Sequence, residues 1–355
     1  MPDEPALVGY RCPVANDLKV GVMGAGSVGC WIGGRLAARG VDVVFVGRAR
    51  QKAEIDAAGL VLTDLGGKVV RAEKVVFATE IAALEDRDVV LCCVKSAHTA
   101  ETAAQLAGVL SRGAVVVSMQ NGMRNPDVLR GHLGEQTVLA GIVGFNVLSK
   151  GGGAFRRATS GPLVIEASAD PRAEKLVERL VASGFEVKVS RDIRRLQWAK
   201  LVMNLNNAVS ALSGATTRDL LYSEGYRRIL ARIITEALAV LKKAGIRPAR
   251  LGAFPVQAFP FVLGLPTWLL RVVARAQLAI DPEARSSMWE DVSRGRATEV
   301  DELNGEIVRL AESCGADATF NRRIVARVHE VEARGAGSPR LSPDELAGAL
   351  GMTIK

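Results

Sequence analysis

Short apolar runs and stretches of helical periodicity alternate through the first half of the chain. Apolar runs lie at Val20–Met23 and Val41–Val46, on either side of a helical stretch, and again at 88–94, 114–119 and 138–147. Continuous runs of this length are typical of strands buried on both faces of a parallel sheet. The pattern therefore predicts an α/β fold, with a Rossmann-type doubly wound parallel sheet in its N-terminal part.

Near residue 190 the pattern changes. Runs at 163–166 and 186–189 predict two strands antiparallel to the others, and a helical stretch at 170–183 separates them. From Asp192 onward almost only helical periodicity is present, which predicts an all-helical C-terminal domain. The predicted division is a leader (1–17), a Rossmann domain (18–190), a helical domain (191–335) and a C-terminal tail (336–355).

One stretch of the helical part, 253–274, is strongly apolar, but three prolines and Arg271 interrupt it. A helix that spans a bilayer needs about twenty apolar residues without such breaks. The stretch predicts short helices packed within the domain or across a homodimer, and a peripheral membrane contact is the alternative. Residues 1–17 lack the charged start and apolar block of a secretion signal, so we expect a cytoplasmic protein without a membrane span.

Charge and metal-binding residue types narrow the choice of partners. The 355 residues carry a net charge of +8, but no basic run is interleaved with aromatics, so nucleic acid is not expected. An anionic cofactor and an anionic substrate explain the excess of cations; solubility alone is the alternative. The five cysteines and three histidines lack metal-binding spacing. We predict reduced, packed cysteines and no metal site.

A glycine-rich turn joins the first predicted strand to its helix. Its residues are Gly24, Ala25, Gly26, Ser27, Val28 and Gly29. In dinucleotide sites, glycines at this spacing form the tight turn and admit the pyrophosphate, which then faces the helix N-terminus. An ordinary glycine turn is the alternative. Because the flanking strands and helix all agree with the βαβ context, we predict a dinucleotide-binding domain.

Polar residues follow three of the predicted strands. Arg48 stands where NAD sites usually have an acid that holds the ribose, and an arginine there can pair with a 2′-phosphate. This favours NADP(H) over NAD(H); a solvated loop arginine is the alternative. Lys95 and Asn121 end two further strands, at the edge where open α/β sheets bind ligands. For both, a simple turn residue is the alternative.

The first helix of the helical part, predicted over 192–214, carries unexpected polar residues. Lys200 and Asn204 share one face of this otherwise apolar helix, and Asn207 lies further along. One explanation is a polar network between helices, with Lys200 reaching solvent. The other, which we favour, is a substrate site. There, burial would lower the pKa of the lysine, which could bind a carboxylate and donate a proton.

A later helix is predicted to begin at Asp281-Pro282 and to continue past Glu299. Ser287 with Glu290 fits a capping box, and Glu299 fits a solvated acidic face. Ser287 and Glu299 lie about 120° apart around an ideal helix, so both would reach one ligand only if the helix bends.

Six segments together resemble a known family. They are GAGSVG (24–29), VGR (46–48), VKS (94–96), QNGM (120–123), WAKLVMN (198–204) and SSMWEDVSRGRATEVDELNG (286–305). On these segments the chain resembles the ketopantoate reductase (2-dehydropantoate 2-reductase) family, and the last two are the most discriminating. The resemblance implies reduction of 2-dehydropantoate to (R)-pantoate with NADPH, a step of pantothenate biosynthesis.

The resemblance also implies roles for individual residues around the substrate. Lys200 would be the general acid for the nascent alkoxide, and Asn121 would lie between nicotinamide and substrate. Asn204 and Ser287 would hold the substrate's hydroxyl and carboxylate. Glu299 would contact both the cofactor and the substrate hydroxyl.

For the cofactor, the resemblance implies Arg48 and Lys95 at the adenosine phosphate end. The chain departs from the family pattern in two places. Ala208 stands where a second asparagine usually follows Asn204 by one turn, and the segment 245–282 is longer and more apolar than expected.

We therefore predict an NADPH-dependent 2-dehydropantoate 2-reductase with Lys200 as general acid. Because of Ala208, a related dehydrogenase of another small 2-oxo or 3-hydroxy acid is the first alternative. The second is a regulatory protein that binds NADPH without turnover. Such a protein needs no proton donor, so Lys200 argues against it.

Overall fold

A computed structural model describes residues 18–250, 255–273 and 284–353, so the predicted leader lies outside the described residues. The strands are β1 (Lys19–Met23), β2 (Asp42–Val46), β3 (Leu60–Thr63), β4 (Val69–Ala72), β5 (Val76–Ala78), β6 (Val89–Cys92), β7 (Val115–Ser118), β8 (Thr137–Val143), β9 (Val147–Gly151), β10 (Ala154–Arg157), β11 (Leu163–Glu166) and β12 (Val187–Ser190).

The helices of the N-terminal half are α1 (Ser27–Ala37), α2 (Ala49–Ala58), α3 (Thr99–Ala107), α4 (Asn125–His132) and α5 (Pro171–Ala182). Those of the C-terminal half are α6 (Ile193–Asn204), α7 (Asn206–Ser213), α8 (Thr217–Tyr222), α9 (Glu224–Lys243), α10 (Phe259–Leu263), α11 (Thr267–Val273), α12 (Ser287–Ser293), α13 (Asn304–Cys314), α14 (Thr319–Arg334) and α15 (Pro343–Ala349).

The main sheet of the described residues has eight strands in the order β12-β11-β8-β7-β6-β1-β2-β5. All pairs from β8 to β5 are parallel, with Val20 of β1 opposite both Val43 and Val89. β11 pairs antiparallel with β8 and parallel with β12, so these last two strands run against the others, as predicted. The carboxyl ends of β1, β2, β6 and β7 therefore lie along one edge.

Helices cover both faces of this sheet, which confirms the doubly wound fold. On one face Trp31 of α1 and Leu176 of α5 pack with Val20. On the other face Leu106 of α3 packs with Val90. The alternate side chains of the central strands thus enter two separate cores, which explains the continuous apolar runs in the sequence.

A second, four-stranded sheet, which the sequence did not predict, has the order β4-β3-β10-β9. Leu60 and Leu62 of β3 share a core with Trp31, so α1 lies between the two sheets. Strands β9 and β10 of this sheet form an antiparallel hairpin. The run 138–147 is not a single strand, because β8 ends at Val143 and β9 begins only at Val147.

Helix α6 joins the sheet to the helical half, where most of the remaining helices share a separate core. Its first residue, Ile193, packs against Ile142 and Val164 of the sheet. The helix predicted over 192–214 is interrupted at Leu205, whose N–H bonds the Val202 carbonyl three residues back. The segment predicted as a tail also contributes to this core through Leu346 of α15.

The predicted start of the later helix, Asp281-Pro282, lies outside the described residues, and no single helix continues past Glu299. α12 ends at Ser293, where Gly295 takes a φ of +61° and the Arg296 N–H bonds the Asp291 carbonyl, a Schellman ending. The capping box suggested for Ser287 and Glu290 is not formed. Ser286 caps α12 instead, because its hydroxyl oxygen accepts the Trp289 N–H. The described part of 253–274 forms short helices, and no described helix is long and apolar enough to cross a membrane.

Candidate active site

The glycine turn after β1 has the shape that a pyrophosphate requires. A Cβ on Gly24, at φ +92°, would lie 2.7 Å from the Val94 nitrogen, and one on Gly29 would lie 2.5 Å from the Gly24 oxygen. Both positions therefore need glycine. At Gly26 a Cβ would meet no atom within 4 Å, so its outer side is open. No side chain caps the start of α1, which leaves its first N–H groups facing the same opening.

Arg48 lies at the carboxyl end of β2, immediately before α2, and is exposed. Its guanidinium has no hydrogen-bond or ion-pair partner among the described residues. A free cation beside the glycine turn can accept an anionic group without breaking an existing bond.

Lys95, at the end of β6, instead connects the two halves of the molecule. Its Nζ lies 2.6 Å from a carboxylate oxygen of Asp291, on α12, and 3.9 Å from one of Glu299. These two acids raise the pKa of Lys95, although its burial opposes them. In this arrangement the ammonium is committed to the helical half, so binding a phosphate would require it to exchange partners.

Glu299 is reached because the chain turns after α12. Its Oε1 accepts the Ser96 N–H at 3.2 Å and the Ser96 hydroxyl at 2.9 Å, and its Oε2 accepts the Asn121 amide at 3.4 Å. The side chain is 12% exposed. Glu299 is therefore a partner of two strand ends and not a residue of a solvated helix face.

A buried amide network fixes the loop that carries Asn121. Gln120 donates to the Val94 carbonyl and to the Thr99 hydroxyl. Asn125 donates to the Asn121 carbonyl at 2.6 Å and to the Ser96 hydroxyl at 2.9 Å. The position of the Asn121 backbone is thus set by bonds to neighbouring strand ends.

Lys200 and Asn204 face this edge of the sheet across a small cavity. The sheet side of the lining is formed by Gln120, Asn121, Gly122, Gly141 and Ile142, and the α6 side by Gln197, Lys200, Leu201 and Asn204. The cavity volume is about 10 Å³, which is room for about one water. The shared face predicted for Lys200 and Asn204 is present, and it is turned towards Asn121.

Burial lowers the pKa of Lys200 to about 8, and the charge of Glu299 partly opposes this shift. Within the described part of the chain, no hydrogen bond engages its ammonium group. A lysine with this pKa is still mostly protonated at neutral pH and releases its proton more readily than a free lysine. The group is therefore suited to act as an acid towards a ligand in the cavity.

Two family models match this chain: "Ketopantoate reductase PanE/ApbA" over residues 20–170, and the C-terminal model of the same family over residues 192–332. The chain belongs to the ketopantoate reductase family. A 2-dehydropantoate 2-reductase from Archaeoglobus fulgidus is 30% identical over 318 residues, which cover 88% of this chain and 98% of that protein.

Solved structures agree with this membership of the ketopantoate reductase family. A PanE/ApbA family ketopantoate reductase from Ralstonia eutropha JMP134 has a TM-score of 0.76 and 32% identity, over 90% of this chain and 99% of that one. D-mandelate dehydrogenase, in a ternary structure with NADH and anilino(oxo)acetate, has a TM-score of 0.72 over 90% and 99% of the two chains. Its 21% identity shows the common fold alone.

The structure brings together most, but not all, of the residues that the family resemblance singled out. Asn121, Lys200 and Asn204 line one cavity, and Glu299 bonds to Asn121 beside it. Ser287 is exposed and does not line this cavity. Ala208, where the family pattern has a second asparagine, is fully buried in the helical core after the break in α6–α7.

Sequence reasoning missed the residues that hold the site in place. Gln120 and Asn125 lie within or next to the QNGM segment, so their position beside a strand end was an available signal. Asp291 gave no such signal, since its partner Lys95 is 196 positions away in the sequence. Gln197 lies three residues before Lys200, and its sequence neighbours in α6 gave no sign that it lines a cavity.

Among the described residues, no group of three or more histidine, cysteine, aspartate or glutamate side chains is placed to hold a metal ion. The described cysteines are free thiols, and Cys30 and Cys92 are buried. Burial raises the pKa of the Cys92 thiol to about 12, so it stays protonated. Cys12 lies outside the described residues.

Proposed function

We propose that this protein is an NADPH-dependent reductase that converts 2-dehydropantoate to (R)-pantoate, with Lys200 as the general acid. The observation that carries this proposal is the shared cavity of Lys200, Asn121 and Asn204, next to Glu299. Membership of the ketopantoate reductase family supports the reaction class.

A bound nicotinamide cofactor would supply a hydride to the ketone carbon. Lys200 then has two tasks, both at the ketone oxygen. Its ammonium stabilises the negative charge that grows on this oxygen, and it donates the proton that completes the alcohol. Its lowered pKa favours the second task, because less free energy is needed to release the proton.

The neighbouring side chains would orient the reactants. Asn204, one helical turn after Lys200, would hold the substrate's hydroxyl or carboxylate from the α6 side. Asn121 would present its amide where nicotinamide and substrate meet, with Glu299 fixing the orientation of that amide. Ser287 is exposed, so a substrate contact from Ser287 would require the ligand to extend beyond the present cavity.

Ala208 keeps a second candidate substrate class open. A buried alanine offers no amide for a substrate hydroxyl, which favours a small 2-oxo acid without that group. The experiment is a turnover panel that follows NADPH oxidation with 2-dehydropantoate, 2-oxoisovalerate and phenylglyoxylate. Preference for 2-dehydropantoate supports the first proposal, and preference for another acid supports the second. Tight NADPH binding with no turnover would favour a regulatory protein.

Arg48 would select NADPH by pairing with its 2′-phosphate. Arg48→Ala should weaken NADPH binding by about 10- to 100-fold, the value of a charge-assisted bidentate contact, and should leave NADH binding nearly unchanged. Arg50→Ala is the matched control, because Arg50 is exposed and paired with Glu54. Equal weakening of both cofactors, measured by fluorescence titration, would contradict the assignment.

A cytoplasmic location and a homodimer stay predictions.

A further inference from the structure

A second cavity, of about 110 Å³, lies at the start of α6, where the chain passes from the sheet to the helical half. Arg130, Arg191 and Arg194 contribute to its lining, with Glu166. Gln197 lines both this cavity and the one that contains Lys200. The volume exceeds that of one water several times over, so it has room for a small polyatomic ligand.

The acids around this second cavity are already engaged. Arg130 donates to Glu166 at 2.7 Å and to Asp127 at 3.0 Å, and Arg194 donates to Asp127 at 2.8 Å. Glu166 also accepts the Ala140 N–H.

One cation of the lining has no acid to neutralise it. Asp192, the last acid of the lining, pairs with Arg195 at 3.4 Å. Arg191 has no ion-pair or hydrogen-bond partner in the described ranges. The cavity therefore keeps an unpaired positive charge at its mouth.

The helix end at this cavity is also unsatisfied. Asp192 precedes α6 without capping it, so the first N–H groups of a 12-residue helix have no side-chain acceptor. The positive end of the helix dipole adds to the charge of Arg191.

A buried amide points to a ligand independently of these charges. Gln197 is 7% exposed, and no other described residue forms a hydrogen bond with its side chain. Since it borders the cavity, a bound polar group there would satisfy it.

We propose that this second cavity binds a small oxyanion, a carboxylate or a phosphate, at a site separate from the one with Lys200. Arg191 and the first N–H groups of α6 contact the anion, and the Gln197 amide donates to it from the buried side. Gln197 precedes Lys200 by one turn and lines both cavities, so the anion site adjoins the cavity that contains Lys200. The proposal does not depend on which oxo acid the protein reduces.

The test is isothermal titration calorimetry of the full chain with inorganic phosphate and, separately, with malonate. One saturable site is expected for the preferred anion, and the comparison identifies which oxyanion is preferred. Arg191→Ala should weaken binding by about tenfold, since it removes one charge-assisted contact. The side chain of Arg191 is exposed and unbonded within the described residues, so the fold should be unchanged. Gln197→Leu should weaken binding as well, without loss of the folded circular dichroism spectrum.

Two control variants locate the site. Arg112→Ala removes an exposed arginine that is paired with Glu135 outside the cavity, and it should bind the anion like the parent protein. Arg48→Ala, at the glycine turn, should also have no effect. The proposal is overturned if neither anion shows saturable binding, if Arg191→Ala binds normally, or if Arg48→Ala is the variant that loses binding.

Discussion

The two sides of the cavity that contains Lys200 satisfy their polar groups differently. On the sheet side, Gln120 and Asn125 are tied to neighbouring strand ends, and Asn121 donates to Glu299. On the α6 side, neither Lys200 nor Asn204 has a hydrogen-bond partner among the residues that the structure describes.

This difference suggests that the sheet wall positions a ligand and that the α6 wall supplies the groups that react with it. A bonded amide network holds one wall at fixed coordinates, which pre-organises the site. The unbonded groups on the other wall keep their hydrogen-bonding capacity for a ligand, at a cost to the free energy of folding. Substitutions on the sheet wall should therefore mainly lower the free energy of unfolding, and substitutions on the α6 wall should mainly lower activity.

Lys200→Ala should have the largest effect, and on activity alone. Loss of a general acid typically lowers the rate about 10²- to 10⁴-fold. The free energy of unfolding should stay equal or rise, because a partly buried cation without a bonded partner is removed. The measurements are kcat and urea unfolding, with Lys188→Ala, an exposed lysine paired with Glu186, as the control. A variant that unfolds more easily and keeps its activity would make Lys200 a structural residue.

The pH dependence should also follow Lys200. The acid must be protonated, and its pKa is lowered to about 8, so kcat/KM for reduction should fall at higher pH. Above the pKa the decrease should be about tenfold per pH unit. In Lys200→Arg this alkaline limb should disappear, because the guanidinium stays charged. A limb that persists in the arginine variant would assign it to another group.

Asn125→Ala should act mainly on stability. The substitution removes the buried amide that bonds the Asn121 carbonyl and the Ser96 hydroxyl, at a cost of about 1–3 kcal/mol in the free energy of unfolding. A smaller rise in KM is expected as the Asn121 loop loosens. Asn146→Ala, at an exposed asparagine, is the control. Unchanged unfolding in Asn125→Ala would show that the sheet wall is not held by this network.

Ser287→Ala should have the smallest effect. Its hydroxyl is exposed and lies outside the present cavity lining, so KM for the oxo acid should rise no more than about threefold, the value of a weak hydrogen bond. Asn204→Ala provides the comparison within the cavity and should raise KM more. A larger effect at Ser287 would show that the substrate extends towards α12.

The central strands of the main sheet were predictable, because β6 and β7 are local runs whose two faces are both buried. The polar residues at their ends were predictable for a related reason: parallel strands bring their carboxyl ends to one edge. The second sheet was not, because β3 pairs with β10 from far along the chain.

The break between α12 and α13 had a signal in the sequence that was passed over. Gly295 interrupts the helical pattern, and glycine is the residue that most often ends a helix in the left-handed region. That ending lets Glu299 reach Ser96 and Asn121. The ion pair of Lys95 with Asp291, in contrast, could not be predicted. The sequence contains many acids, and only the packing of the two halves brings Asp291 beside Lys95.

The small size of the cavity beside Lys200 has a kinetic consequence for the proposed reaction. A branched oxo acid is larger than the space present, so α6 and the sheet edge would have to move apart for it to bind there. Each catalytic cycle would then include an opening and a closing step, of the kind that takes microseconds to milliseconds in other enzymes. The maximum turnover number of this protein would be limited by that movement wherever the proton and hydride transfers are faster.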